Sequence, residues 1–304
     1  MDVDAVVLDV DGVLVDTAES YLRAIIETIA AIYGESIDHD IVQAFKDAGG
    51  FNNDWVATDA IALYMLAYRH GLDADVQSFT EAIAARGGGL GAAEAIVERG
   101  VDETAWAAIM DEWDPVANRR TFQWLYLGPV RYRELEDEPV PAVAPEPAGL
   151  MDEEPILIEA ETIEWLTVTG PLGILTGRPR AEAEIALDRV GLHVPADRRL
   201  TMDDWEPGKP DPAGLRTIAR ACDASRVLYA GDELDDIRTA VNANTGDERE
   251  YVAVGVLTGG INQPEDFAAV GADAVLADVN DIPALVAGEP VNLLDDAAVR
   301  RSED

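Results

Sequence analysis

Two aspartates, Asp9 and Asp11, are the first residues of this sequence whose types and spacing could do chemistry. They follow a short apolar run, Val6 to Leu8, that predicts a buried strand, and Gly12 then ends the pattern. Ligands of open α/β sheets bind at the carboxyl ends of strands, which is where both carboxylates would stand. Two acids this close are costly unless a cation lies between them or one keeps its proton. The pair therefore indicates a functional site.

A second polar group follows another predicted strand, in residues 173–179, which read GILTGRP. The hydroxyl of Thr176 can donate to a phosphate oxygen, and Gly177 lets a backbone N–H approach the same anion. For Arg178 two interpretations stay open, a cation that assists anion binding and recognition of a substrate, or a partner for a nearby acid. The segment is typical of an anion-binding strand end.

Lys209 is conspicuous because Lys46 is the only other lysine in 304 residues. It lies in GKPDP, residues 208–212, directly before a predicted helix. A compact ammonium group can hold a carboxylate ionised and bind a transferring phosphoryl group. The alternative, a surface lysine in a turn, is disfavoured by the flanking motifs.

Asp232 and Asp236 end the last motif, residues 227–236, which read VLYAGDELDD. A third apolar strand is predicted to end before Asp232, and one helical turn would return Asp236 to the same face. With Asp9 and the backbone carbonyl of Asp11, these acids form an oxygen-rich site suited to Mg²⁺. A chance cluster is the alternative in a chain with 60 acids, but the positions at strand ends argue against it.

The elements that must position these residues alternate strand and helix in the second half of the chain. We predict an α/β fold, a doubly wound, Rossmann-like parallel sheet, from residues 1–16 and 156–288. Residues 17–155 predict an inserted helical domain because no second strand follows the first. The helices of this domain are predicted from residue 20 to Gly34 and at 38–48, 54–70, 76–86, 91–99 and 102–125. Residues 131–155 are rich in proline and acids and predict an exposed loop, at least over 134–155, and residues 289–304 predict an acidic tail.

The ordered motifs around Asp9, Thr176, Lys209 and Asp232 resemble those of the haloacid dehalogenase superfamily. The resemblance is greatest to the branch with a helical cap after the first motif, which includes phosphoglycolate phosphatases and β-phosphoglucomutases. It implies that Asp9 is the phosphoryl-accepting nucleophile and that Asp11 is an acid/base, with Lys209 completing the catalytic set. It also implies that Asp232 is a direct Mg²⁺ ligand, that Asp236 acts through a water or from behind the ligands, and that the cap selects the substrate.

The presence of an acid at position 11 favours phosphate esters, because dehalogenases and phosphonate hydrolases of the superfamily lack it. We therefore expect a Mg²⁺-dependent phosphatase that hydrolyses a small phosphorylated metabolite through an aspartyl phosphate. One alternative is a sugar-phosphate mutase of the same fold, with Lys46 or Arg86 as the cation of the cap. The other is a catalytically silent binding protein that keeps the fold.

The loop from Gly49 to Trp55 falls where related enzymes place a substrate-specificity loop. Lys46, Gly50 and Asn52 are the weaker candidates for substrate recognition there. The alternative is a plain turn between helices, with Phe51 and Trp55 packed in the interior of the cap. For the run RGGGLG at residues 86–91, a helix end followed by a turn is favoured over a second anion site.

The net charge of −38 comes from 60 acids against 22 bases that are spread along the whole chain. Such a surface repels nucleic acid and anionic membranes, and it resembles the haloarchaeal type, in which molar salt screens the repulsion. The single cysteine, Cys222, predicts a buried structural thiol. No leader peptide or membrane span is predicted, so we expect a cytoplasmic protein. The expected partner is a small phosphorylated metabolite, with no nucleic acid and no membrane, and a homodimer is left open.

Overall fold

The computed structural model describes residues 1–51, 53–141, 149–259 and 262–289. The chain divides into two compact units. One, called here the sheet unit, comprises Met1–Ala18 and Glu154–Asp304, and the other, the helical unit, comprises Glu19–Glu153. Asn52, residues 142–148 of the predicted loop and residues 290–304 of the predicted tail lie outside the described residues.

The helical unit is built from consecutive α-helices, with no strand among its described residues. They are α1 (Ala18–Tyr33), α2 (His39–Ala48), α3 (Asp54–Arg69), α4 (Val76–Ala84), α5 (Gly89–Gly100), α6 (Glu103–Glu112) and α7 (Pro115–Leu135). Several begin at an aspartate or asparagine that caps the first turn, as Asp38 does by accepting from the N–H of Ile41. Local capping therefore sets the boundaries between helices.

Two predictions in this unit are wrong. The single helix predicted over 102–125 is two helices, because Asp114 caps a new one through the N–H of Ala117 and Pro115 takes its first position. The loop predicted from residue 131 is still helical as far as Leu135, since α7 kinks at Gly128, with φ 75° and ψ 165°, and then resumes. At the other end of that loop, the described residues Leu150 and Met151 are buried in a short 3₁₀ helix rather than exposed.

The sheet unit contains a single parallel sheet. Its strands are β1 (Ala5–Leu8), β2 (Leu172–Leu175), β3 (Arg199–Leu200), β4 (Arg226–Gly231), β5 (Glu250–Val256) and β6 (Ala274–Leu276). Within the described residues their order is β3-β2-β1-β4-β5-β6. Val6 of β1 is in register with Leu172 on one side and with Leu228 on the other. The carboxyl ends of β1, β2 and β4 therefore lie side by side, and the predicted α/β fold is confirmed.

Helices cover both faces of this sheet. They are α8 (Ala160–Thr169), α9 (Arg180–Val190), α10 (Ala213–Ala221), α11 (Leu234–Ala243), α12 (Pro264–Ala269) and α13 (Ile282–Ala287). Val6 and Leu8 belong to one apolar cluster, with side chains of α8, α9 and α13, whereas Val7 belongs to the other, with α10, α11 and α12. Cys222 is buried in the second cluster as a free thiol. A strand that is buried on both sides reads as a continuous apolar run, which is what the sequence around β1 shows.

Over the part of the chain that the structure describes, none of the helices has the length and apolar character needed to span a membrane.

Candidate active site

Asp9 stands one residue beyond the carboxyl end of β1 and is almost fully buried, with 3% of its surface exposed. Its backbone N–H continues the pairing of the sheet by donating to the carbonyl of Ala230. Its Oδ1 accepts from the N–H of Val10 at 2.7 Å, and its Oδ2 accepts from Nζ of Lys209 at 2.6 Å. Both oxygens are therefore held in fixed positions at the edge of the sheet.

Lys209 connects two carboxylates. Its Nζ lies 2.6 Å from Oδ2 of Asp9 and 2.6 Å from Oδ1 of Asp236. Burial acts to lower the pKa of Lys209, but the charges of Asp236 and Asp9 outweigh it and raise that pKa well above its ordinary value. The ammonium group therefore remains charged at the centre of the cluster.

The same burial acts on Asp9 in the opposite direction. Removal from water raises the pKa of Asp9 to about 7, against the lowering effect of the charge on Lys209. The neighbouring carboxylates of Asp236 and Asp11 add to the rise. Further positive charge in this cluster would favour the ionised form of Asp9, which is the form that a nucleophile requires.

Asp236 is held from three sides at the start of α11. Its Oδ1 accepts from the hydroxyl of Tyr229 at 2.6 Å and faces Lys209, while its Oδ2 accepts from the N–H of Glu233 at 3.0 Å. Sequence analysis missed Tyr229, although a tyrosine within an otherwise apolar strand was a signal. The carboxylate of Asp236 therefore holds the ammonium group of Lys209 in position.

Asp232 follows β4 and carries an unsatisfied atom. Its Oδ1 is buried and has no hydrogen-bond partner among the described residues. The carboxylate lies between Gly12 and Gly259, where a Cβ on either glycine would overlap it. Burial, together with the charges of Glu233 and Asp236, raises the pKa of Asp232 well above its ordinary value. A buried carboxylate oxygen without a donor is the kind of group that a cation satisfies.

The donor set around this oxygen fits a hard divalent cation. Asp9, Asp232 and Asp236 each offer a carboxylate oxygen, and these atoms lie within 4.8 Å of one another. Each oxygen of Asp9 faces one donor, whereas the two oxygens of Asp236 face three, so Asp9 and Asp232 are the better placed pair. No histidine or cysteine belongs to this group.

Arg178 is paired with acids, which is one of the two interpretations that its sequence context left open, and contact with a substrate anion stays a prediction. It is 1% exposed, and its Nε donates to Oδ1 of Asp11 at 2.5 Å. Its Nη2 donates to Oε2 of Glu154 at 3.2 Å, and Arg189 also contacts Glu154. One oxygen of Asp11 is thereby held by Arg178. Glu154 was missed because it lies in the acidic, proline-rich stretch, where no pattern distinguishes one acid from another.

Thr176 and Gly177 lie where β2 ends. Thr176 is buried, its N–H donates to the carbonyl of Leu200, and its hydroxyl accepts from the N–H of Arg178 at 3.2 Å. Gly177 is exposed, with open space around the position of a Cβ. Since β2 is the direct neighbour of β1, this strand end stands beside Asp9.

A family model described as haloacid dehalogenase-like hydrolase matches residues 3–244. The match covers most of the chain and spans every motif described above. The chain belongs to this family.

The chain is also similar to individual proteins. The chain is 26% identical over 260 residues to imidazoleglycerol-phosphate dehydratase of Phytophthora nicotianae, covering 84% of this chain and 44% of that protein. It is 34% identical over 88 residues to pyrophosphatase PpaX of Bacillus velezensis, covering 28% and 41%. The matched part thus spans less than half the length of these curated relatives. The solved structure of phosphatase Tt82 from Thermococcus thioreducens superposes with a TM-score of 0.57 at 24% identity, covering 82% of this chain and 91% of that one.

The three candidates for substrate recognition, Lys46, Gly50 and Asn52, fall within the helical unit. Lys46 forms an ion pair with Asp54, with 2.7 Å between Nζ and Oδ1. Gly50 has φ of 76°, and a Cβ there would come within 2.6 Å of the backbone N of Gly89. The third candidate, Asn52, lies outside the described residues.

The aromatic residues of the loop from Gly49 to Trp55 contact other rings of the helical unit, but both are only partly buried. The rings of Phe51 and Phe45 are 6.3 Å apart, and the ring of Trp55 meets Phe122 edge-on at 6.3 Å. The glycine-rich run forms the turn between α4 and α5, where the N–H of Gly89 donates to the carbonyl of Gly49. These glycines allow two backbones to approach closely.

Proposed function

We propose that the chain is a Mg²⁺-dependent phosphatase that hydrolyses a small phosphorylated metabolite through an aspartyl phosphate. The observation that carries the proposal is the contact of Lys209 with both Asp9 and Asp236, beside the buried, partnerless Oδ1 of Asp232. A nucleophilic carboxylate, a fixed cation and a vacant anionic oxygen are the elements that phosphoryl transfer requires.

In the first step an oxygen of Asp9 attacks phosphorus in line with the leaving group. The new bond joins Asp9 to phosphorus, the ester P–O bond breaks, and Asp11 gives its proton to the departing alkoxide. Lys209 offsets the negative charge on the transferring group, while Thr176 and the N–H of Gly177 bind its oxygens. In the second step Asp11 takes a proton from water, which attacks the same phosphorus and releases Asp9.

Asp9 and Asp232, together with the backbone carbonyl of Asp11, are the groups that would hold Mg²⁺ in this scheme. The ion would supply positive charge against the phosphoryl oxygens. Asp236 would contribute from behind Lys209, since its own oxygens are engaged. In the same proposal, Arg178 keeps the carboxylate of Asp11 oriented towards the leaving group.

The names of similar proteins support the reaction class. Pyrophosphatase PpaX of Bacillus velezensis and validoxylamine A 7'-phosphate phosphatase of Streptomyces hygroscopicus both match this chain, at 34% and 31% identity over parts of it. These two matches and the match to the Phytophthora dehydratase each cover under half of the curated protein, so no individual activity or substrate is transferred from the names. The metabolite itself is left to experiment.

Within this proposal the helical unit acts as a cap that selects the substrate, since it is inserted directly after the motif of Asp9 and Asp11. We also infer a salt-rich cytoplasm of haloarchaeal type as the setting, from the charge of −38.

The test is release of inorganic phosphate from a panel of phosphorylated metabolites, in molar KCl with and without Mg²⁺. We expect Mg²⁺-dependent turnover that falls by about a thousandfold or more in Asp9→Asn, because the nucleophile is lost. The matched control is Asp235→Asn, which makes the same change at an acid that pairs with Arg238 on the surface and should retain activity.

Turnover by Asp9→Asn at the rate of the parent would refute the aspartyl phosphate. Absence of release from every ester, in protein shown to be folded at that salt, would instead favour the mutase or the silent binding protein. Phosphate release at the same rate with Mg²⁺ and with a chelator would show that the reaction does not require Mg²⁺.

A further inference from the structure

A cavity of about 300 Å³ lies within the helical unit. It is lined by α3, by the first half of α7 and by the segment beyond the kink at Gly128, including Tyr132 and Glu138. Its volume is at the lower end of the range of small-molecule sites, equal to that of about ten water molecules. None of the residues assigned to phosphoryl transfer lines it.

Asp59 on the wall of this cavity is a buried carboxylate without a counter-ion. Only 8% of the residue is exposed, and its Oδ1 accepts from Nδ2 of Asn118 at 2.7 Å. No Lys, Arg or His among the described residues makes an ion pair with it. The charged groups that act on it, Asp114 and Glu94, carry the same sign. A buried carboxylate in such surroundings is costly unless a cation reaches it.

The other charges of the lining do not supply that cation. Arg120 is engaged by Glu138 in an ion pair. The guanidinium carbon of Arg119 lies over the ring of Trp55, 5.4 Å from its centre. With Asp59, Glu136 and Glu138 against Arg119 and Arg120, three acids face two bases, so the lining carries one uncompensated negative charge.

The rings of Trp55 and Tyr132 indicate what kind of cation fits. Aromatic side chains offer an apolar surface, and since Arg119 already lies over the ring of Trp55, the rings would contact the apolar part of a ligand. A bare metal ion would need several oxygen ligands, whereas the lining offers one carboxylate that is free of an ion pair and buried. An ammonium group on an apolar body uses the carboxylate and the rings together.

We propose that this cavity is a binding site for a small organic amine. The ammonium group donates to the carboxylate of Asp59, and the alkyl body lies against Trp55 and Tyr132. The proposal goes beyond phosphate chemistry and does not depend on it, because it involves no residue of the sheet unit.

The experiment is calorimetric titration of the full chain with n-butylamine and with putrescine, at constant KCl and near neutral pH. We expect saturable binding of one amine per chain, weakened on the order of tenfold or more in Asp59→Asn, which removes the charge and keeps the shape. The matched control is Asp111→Asn, the same change at an exposed residue of α6, which should bind like the parent. Circular dichroism shows that each variant is folded.

Three outcomes overturn the proposal. One is absence of amine binding to the parent protein, and another is equal affinity in Asp59→Asn. The third is binding of acetate at the same site, or loss of amine binding because K⁺ fills the site when KCl is varied at constant ionic strength. Because phosphate release is not the readout, failure here leaves the proposed phosphatase untouched.

Discussion

In the proposed mechanism, the hydroxyl of Tyr229 acts on Lys209 through Asp236 without contacting the phosphoryl group itself. It donates to Asp236, which in turn faces the ammonium group of Lys209. Tyr229 and Asp236 are buried and the side chain of Lys209 is 11% exposed, so each group depends on the others for its hydrogen bonds.

Tyr229→Phe removes the donor and leaves Asp236 with one fewer partner. We expect the free energy of unfolding to fall by about 1–3 kcal/mol, since a buried hydrogen bond to a charged acceptor is lost. Phosphate release should fall as well, because Lys209 is held less firmly. Urea titration and phosphate assay measure the two effects, with Tyr68→Phe as the control at a residue that is 62% exposed. A Tyr229 variant that behaved like the Tyr68 variant would contradict this reading.

The ionisation of Asp59 gives a second prediction. Its direction follows from the linkage between proton binding and the free energy of unfolding. Burial raises the pKa of Asp59 to about 6 in the folded protein, from 3.8. Ionisation therefore costs stability as the pH rises through the range from 3.8 to about 6, and the cost is complete above it. Asn118 donates to this carboxylate, while Asp114 and Glu94 repel it.

Asp59→Asn should therefore stabilise the protein by roughly 1–3 kcal/mol near pH 7.5. The gain should fall to about 0.5 kcal/mol near pH 4, where the parent residue is protonated in the folded state and partly protonated in the unfolded state. Urea unfolding of parent and variant at the two pH values, at the same salt, measures the difference. A gain that did not change with pH would show that desolvation of the charge is not its cause.

Among the elements, the turn between α4 and α5 depends on close backbone contact with the loop after α2. The N–H of Gly89 donates to the carbonyl of Gly49, and Gly50 approaches Gly88 and Gly89 with φ of 76°. Two loops distant in sequence are thus joined through positions where a side chain has no room.

Gly50→Ala should destabilise the chain by about 2–4 kcal/mol, because its Cβ would meet backbone atoms and the residue would keep a left-handed φ. Gly91→Ala is the control, since Gly91 lies inside α5 with open space around it and should gain up to about 1 kcal/mol. Thermal unfolding of both variants tests the contrast. Equal shifts would indicate that the contact between the loops contributes nothing.

At the scale of the whole molecule, the net charge of −38 predicts a strong dependence of stability on salt. Like charges repel in the folded state, and salt shortens the range of that repulsion from about 8 Å at 0.15 M to about 3 Å at 1 M. We expect the Tm to rise steeply with KCl up to about 1 M and then to level off, because screening is by then nearly complete. A rise that continued unchanged above this range, and was larger in sulfate than in chloride, would point to burial of apolar surface instead.

The order of the motifs, the parallel sheet and the helical insertion could all be predicted from the chain alone. Apolar runs that end in Asp9, Thr176 and Asp232 report strand ends, and neighbouring parallel strands bring such ends together whatever the details of packing. Helix boundaries were less accessible: the break at Asp114 and the kink at Gly128 arise from local capping and backbone angles that the apolar periodicity does not record.

Which acid each basic side chain pairs with was decided by the tertiary structure. Arg178 reaches Asp11 across 167 positions, and Lys209 reaches Asp9 across 200. In a chain with 60 acids, composition cannot say which carboxylate a given cation will meet, because that depends on strand register and on the direction of each side chain. The cavity beside Asp59 could likewise not be predicted from the sequence. Its walls come from segments that only the kinked path of α7 brings together.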